Sequence, residues 1–105
     1  MYLQSYKEKY PLDILNPNRR TYLGMVTAMD DAIGNLTDVL KANEMFDNTI
    51  IIFISDNGGI ANLGGGASNY PLKRGKGSFY EGGVRTPAFV HAPNLVVEKA
   101  GLVSF

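Results

Sequence analysis

Ile50-Ile51-Ile52-Phe53-Ile54-Ser55-Asp56-Asn57-Gly58-Gly59 is an apolar run that stops at two oxygen-bearing side chains and then at two glycines. A run this short, apolar at every position, reads as a strand buried on both faces, as in a sheet covered by helices. The expected fold class is therefore α/β. In open α/β sheets ligands gather beyond the carboxyl ends of the strands, and Asp56 and Asn57 stand at that end. A carboxylate and a neutral amide carbonyl both suit a hard cation. Asn-Gly after a strand is equally a hairpin signal, so the two residues alone leave a plain turn and a metal site open. The segment that follows, Ile60-Ala61-Asn62-Leu63-Gly64-Gly65-Gly66, does not alternate like a returning strand. It reads as a long loop, and such loops in compact domains are often functional.

Upstream of this strand a long amphipathic helix is expected. Asn16 can cap it and Pro17 suits its first position. Tyr22, Met25, Val26, Met29, Ile33, Leu36, Val39 and Leu40 recur at helical spacing and form one stripe. Gly34 costs about 1 kcal/mol relative to Ala in a helix, which suggests close packing there, and Asn43 can end the helix in a left-handed conformation. Residues 1–15 are tyrosine-rich without clear periodicity and read as an irregular approach. Downstream, Tyr70 to Gly75 is basic and turn-like, and Pro87 to Pro93 reads as a second short strand bounded by prolines. One long helix, two short strands and a large loop enclose little core, and small chains bury a low fraction of their surface. The chain is therefore expected to be a piece of a larger α/β domain.

Composition narrows the function classes. The 105 residues carry a formal net charge of zero and no cysteine. Neutrality argues against a dedicated binder of nucleic acid or of membrane surfaces. Without cysteine the chain has no disulfide, thiolate metal site or cysteine nucleophile. The run Thr49 to Ile54 is too short to span a bilayer, so no transmembrane segment is expected, and the first ten residues do not form a signal peptide. Gly75-Lys76 is not a phosphate-binding loop, because Tyr70 and Gly77 stand where Gly and Ser/Thr are required. Asp56-Asn57-Gly58 lacks the ligand spacing of an EF-hand.

Two motifs together carry a family resemblance. Ser55-Asp56-Asn57-Gly58-Gly59, followed by Pro71-Leu72-Lys73-Arg74-Gly75-Lys76-Gly77-Ser78-Phe79-Tyr80-Glu81-Gly82-Gly83-Val84-Arg85, resembles the sulfatases, and within them the arylsulfatase B type. Tyr22-Leu23-Gly24-Met25-Val26 and Met29-Asp30-Asp31-Ala32-Ile33-Gly34-Asn35 are similar to the helix before that strand in the same family. The resemblance extends from about Tyr2 to Pro93 and implies a partial sulfatase catalytic domain of the alkaline phosphatase-like fold over residues 1–105. It implies a calcium-dependent sulfuric ester hydrolase, with sulfated glycosaminoglycans as a substrate class. Asp56 and Asn57 match calcium ligands, and Lys76 matches a lysine that contacts the substrate sulfate. Glu81, Gly82, Gly83 and Arg85 match a segment expected to be structural, with Arg85 in an ordering salt bridge.

The family's formylglycine arises in a Cys/Ser-x-Pro-x-Arg motif, which these residues do not contain; nor do they hold the first pair of metal-binding aspartates. The expectation is thus an internal or C-terminal piece that lacks the nucleophile-bearing part, needs the rest of the domain to fold, and is inactive alone. His91, the single histidine, is expected to be packed or at the surface rather than catalytic. Two other readings stay open: a phosphate-ester hydrolase of the same fold, and a non-catalytic truncated sulfatase-like protein. Asn35-Leu36-Thr37 fits the glycosylation sequon, which makes Asn35 a candidate acceptor if the parent is lysosomal or secreted.

Overall fold

The computed structural model describes residues 2–12, 16–60 and 64–94. The elements run α1 (Tyr2–Glu8), α2 (Pro17–Ala42), a 3-10 turn (Phe46–Asn48), β1 (Ile51–Ile54), α3 (Glu81–Val84) and β2 (Ala88–His91). The expected long helix and both expected strands are present. Asn16 caps α2: its side-chain oxygen accepts from the N–H groups of Asn18, at 2.9 Å, and Arg19, with Pro17 next in line. This satisfies donors that a helix start otherwise leaves unpaired.

Three local expectations are corrected. The N-terminal segment is not irregular, because Tyr2–Glu8 is helical. Seven residues are too few for a stable isolated helix, and α1 is held by docking on α2. Arg20 Nε donates to the Tyr10 carbonyl at 2.9 Å, and the Tyr10 and Thr27 hydroxyls are hydrogen-bonded. The close approach in α2 falls at Gly24, not at Gly34. A Cβ on Gly24 would lie 3.0 Å from the Lys7 backbone nitrogen, whereas one on Gly34 meets nothing within 4 Å. Finally, Asn43 is not left-handed (φ −103°); that conformation falls one residue later, at Glu44 (φ 57°). Asn43 instead donates from its side-chain amide to the Val39 carbonyl at 2.8 Å. The left-handed closure falls at Glu44, where Glu44 N–H donates to the Lys41 carbonyl at 3.0 Å and Met45 N–H to the Leu40 carbonyl at 2.9 Å, and the Asn43 side chain adds a further bond.

β1 and β2 form a two-stranded antiparallel sheet with Ile51 opposite His91 and Ile54 opposite Ala88. Phe53 and Phe89 face each other in this register and stack with ring centroids 5.3 Å apart, a cross-strand pair that stabilises the sheet. His91 is packed, its ring 4.6 Å from that of Phe46. Ile51 and Phe53 are half-buried, while Ile52 and Ile54 on the opposite face are 69% and 65% exposed. Met25, Met29, Leu36 and Val39 of the α2 stripe are likewise exposed, and among the described residues Ala92 is the one buried apolar side chain. No described helix is long and apolar enough to cross a membrane.

Candidate active site

The chain leaves β1 at Ser55, whose N–H still bonds the Pro87 carbonyl at 3.2 Å. It then turns away from β2, so Asp56 and Asn57 are delivered at the carboxyl end of the strand without a hairpin. The turn is secured locally: Ser55 Oγ donates to the Asn57 carbonyl at 3.0 Å, and Asn57 Nδ2 donates to the Gly58 carbonyl at 2.9 Å. With its amide nitrogen so engaged, Asn57 keeps Oδ1 as an acceptor. The exposed Asp56 carboxylate has no hydrogen-bond or ion-pair partner among the described residues.

The return segment is bound to this turn through glycines. Gly58 N–H donates to the Gly83 carbonyl at 2.9 Å, and Lys76 N–H donates to the Gly59 carbonyl at 3.2 Å. Gly82 and Gly83 are buried in α3, where a Cβ would fall 2.1 Å from the Arg74 carbonyl oxygen and 2.2 Å from that of Ser78. These glycines allow three backbone segments to touch, which any side chain would prevent. Arg85 is paired with Glu81 across one turn, Nη1 lying 3.8 Å from Oε2, and both side chains are exposed, so this pair contributes little to order.

Asp56, Asn57 and Lys76 line one open cleft of about 400 Å³. Its other wall is α2, through Tyr22 and Met25. α2 is tied to the glycine-rich loop by Arg19, which donates from Nη1 to the Gly66 carbonyl at 2.9 Å. Lys73 and Arg74, which share a basic cluster with Lys76 in the sequence, lie over the Tyr80 ring at 4.9 and 5.0 Å from its centroid. Such cation–π contacts hold both cations at the ring face, and Lys76 is the member of the cluster that lines the cleft.

The donor set fits part of a hard-cation site. Asp56 offers a carboxylate and Asn57 an amide oxygen, while calcium takes six to eight oxygens. No group of three or more His, Cys, Asp or Glu among the described residues could hold a metal, so Asp56 and Asn57 would make only part of a cation site. The sequence alone does not single out Asn69. Its side chain accepts from Gly59 N–H and donates to the Gly59 carbonyl, both at 2.8 Å. The available signal was an Asn closing a glycine-rich loop, a residue type that readily bonds backbone. In the sequence Tyr22 and Met25 are members of the apolar stripe; that both reach the cleft depends on how α2 lies against the loop.

The family model for sulfatase matches residues 2–104. Arylsulfatase J of Mus musculus is 48% identical over 90 residues, covering 86% of this chain and 14% of that protein. N-acetylgalactosamine-6-sulfatase of Homo sapiens is 40% identical over 88 residues, covering 82% of this chain and 16% of that protein. The crystal structure of Ps i-CgsB in complex with k-i-k-neocarrahexaose superposes with a TM-score of 0.79 at 49% identity, over 86% of this chain and 19% of that one. The chain thus spans less than a fifth of the length of each of these proteins.

Proposed function

The chain belongs to the sulfatase family, and from that premise we propose that the full-length protein carrying it is a calcium-dependent sulfuric ester hydrolase of the arylsulfatase type. Sulfated glycosaminoglycans are the substrate class, and a lysosomal or secreted location accompanies this reading. The observation that carries it is the meeting of Asp56, Asn57 and Lys76 on one cleft, joined by the Lys76 N–H to Gly59 carbonyl bond.

The roles follow from the side-chain chemistry. Asp56 and Asn57 hold the cation, Asp56 with charge and Asn57 without adding more. Calcium, when bound, supplies Lewis-acid stabilisation to the sulfate oxygens. Lys76 brings a compact positive charge on a flexible stem to the same sulfate. It orients the ester and stabilises charge that develops on the sulfuryl oxygens. Tyr22 and Met25 bound the cleft on the α2 side. The formylglycine nucleophile and the remaining cation ligands come from other parts of the protein, since no Cys/Ser-x-Pro-x-Arg motif lies in these residues. The segment therefore contributes part of the cation site and one sulfate contact.

The test is hydrolysis of 4-methylumbelliferyl sulfate by the full-length protein, with calcium present and after chelation. Turnover should need calcium, and Lys76→Ala should lower kcat by about 10²- to 10³-fold, the usual loss for one charge-stabilising donor, with unchanged circular dichroism. Calcium-independent turnover, or a fully active Lys76→Ala protein, would sink the reading. Preferential hydrolysis of the phosphate analogue would replace it with phosphate-ester chemistry.

A further inference from the structure

Among the described residues, the Asn69 side chain is the one amide that joins the Asp56–Asn57 loop to the lysine segment. Oδ1 accepts from Gly59 N–H at 2.8 Å, and Nδ2 donates both to the Gly59 carbonyl at 2.8 Å and to the Arg74 carbonyl at 3.0 Å. Gly59 lies two residues beyond Asn57, and Arg74 two residues before Lys76. The Gly59 carbonyl also receives Lys76 N–H at 3.2 Å. Asn69 is half-buried and uses its acceptor once and its amide nitrogen twice. It thereby imitates a neighbouring strand for a stretch of loop that has none.

We propose that Asn69 is a positioning residue: it sets the separation between the Asp56–Asn57 oxygens and the Lys76 ammonium, so that cation and sulfate are held at one spacing. The proposal rests on the sulfatase reading for its catalytic consequence, but not for its effect on the loop. Without the Asn69 amide the Gly59 N–H and the Arg74 carbonyl lose their bonds, and the two segments keep the Lys76 N–H bond to Gly59 and, through α3, the bonds from Gly58 N–H to the Gly83 carbonyl and from Gly82 N–H to the Lys73 carbonyl. Partners that orient metal ligands typically change affinity or activity by about 10- to 100-fold when removed.

The experiment compares full-length wild type, Asn69→Ala and Asn69→Asp by calcium titration calorimetry and by steady-state hydrolysis of 4-methylumbelliferyl sulfate. Asn69→Asp keeps the side chain's size and its bond to Gly59 N–H. It turns a carboxylate oxygen toward the Gly59 and Arg74 carbonyls, so it should be at least as damaging as Asn69→Ala. If Asn69→Ala does not fold, Asn69→Ser, whose hydroxyl brings no charge against the Gly59 and Arg74 carbonyls, is the variant to read. Calcium affinity and kcat should fall together by about 10- to 100-fold. A purely structural role would lower thermal stability and leave the calcium dissociation constant unmoved in the folded fraction, and that result overturns the proposal. Wild type that binds calcium without hydrolysing the ester refutes the sulfatase reading alone, because the calorimetric comparison still decides Asn69. Wild type that does not bind calcium overturns both.

Discussion

Gly58→Ala tests the claim that the site is built by backbone contact across glycines. A Cβ at Gly58 would lie 1.7 Å from the Gly82 carbonyl oxygen and 2.7 Å from its carbonyl carbon. Ordinary contact begins near 3.4 Å, so the two segments must separate by about 1.7 Å. The obstacle is backbone rather than the end of a flexible side chain, so no rotamer change relieves it. A displacement of this size breaks the 2.9 Å bond from Gly58 N–H to the Gly83 carbonyl. That bond contributes about 1 kcal/mol net, and overpacking costs about 1–3 kcal/mol more. The expected destabilisation is therefore about 2–4 kcal/mol, and it moves Asp56–Asn57 relative to Lys76. The assay is thermal unfolding and ester hydrolysis of the full-length protein, with Gly34→Ala as the comparison. Nothing lies within 4 Å of a Cβ at Gly34, and Ala in place of Gly in a helix gains up to about 1 kcal/mol. A Gly58→Ala protein that melts and turns over like the parent would refute the close-contact argument. A Gly34→Ala protein less stable than the parent would show that the α2 surface there is covered in the whole domain.

Other outcomes follow from the same geometry. Asp56→Ala should weaken calcium binding and turnover in parallel by calorimetry and ester assay; retention of both would remove Asp56 from the cation site. The 105-residue chain expressed alone should show no cooperative thermal transition and no calcium-dependent ester hydrolysis, because its apolar strand face and α2 stripe lack cover among the described residues; a sharp melt by circular dichroism would contradict this. Asn35 is exposed on α2 beside Asp31 and Asp38, one turn away on either side. In a secreted full-length protein made in animal cells, Asn35→Gln and Thr37→Ala should each remove one glycosidase-sensitive gel shift while Thr37→Ser keeps it, and an unaltered mobility would exclude a glycan there.

Much of the fold was legible because it rests on local chemistry. Asn16-Pro17 states a helix start, since the cap and the fixed proline φ need no distant partner. Ile51–Ile54 states a strand, and the run ends where polar residues and glycines begin. The two site motifs were legible as a pair through their joint resemblance to the sulfatases; by residue type alone Lys76 reads as an ordinary surface lysine. Elements held by distant contacts were not legible. α1 is too short to stand alone and exists through α2, so its sequence has no periodicity to declare it. Gly24 and Gly34 look alike in the sequence, and only the passage of the Lys7 backbone over one of them distinguishes their roles. Asn69 could have been one more polar loop residue.

By itself, the sequence determined the element types around the site, and its resemblance to the sulfatases singled out Asp56, Asn57 and Lys76 as the side chains expected at a cation and a sulfate. These depend on local backbone preference and on functional-group chemistry, which each residue carries with it. Only the tertiary structure decided that the three share one cleft, that Lys73 and Arg74 are engaged with Tyr80, and that Asn69 bridges the two halves. Those outcomes depend on backbone segments far apart in the chain meeting at glycines, and that is a property of the packed arrangement.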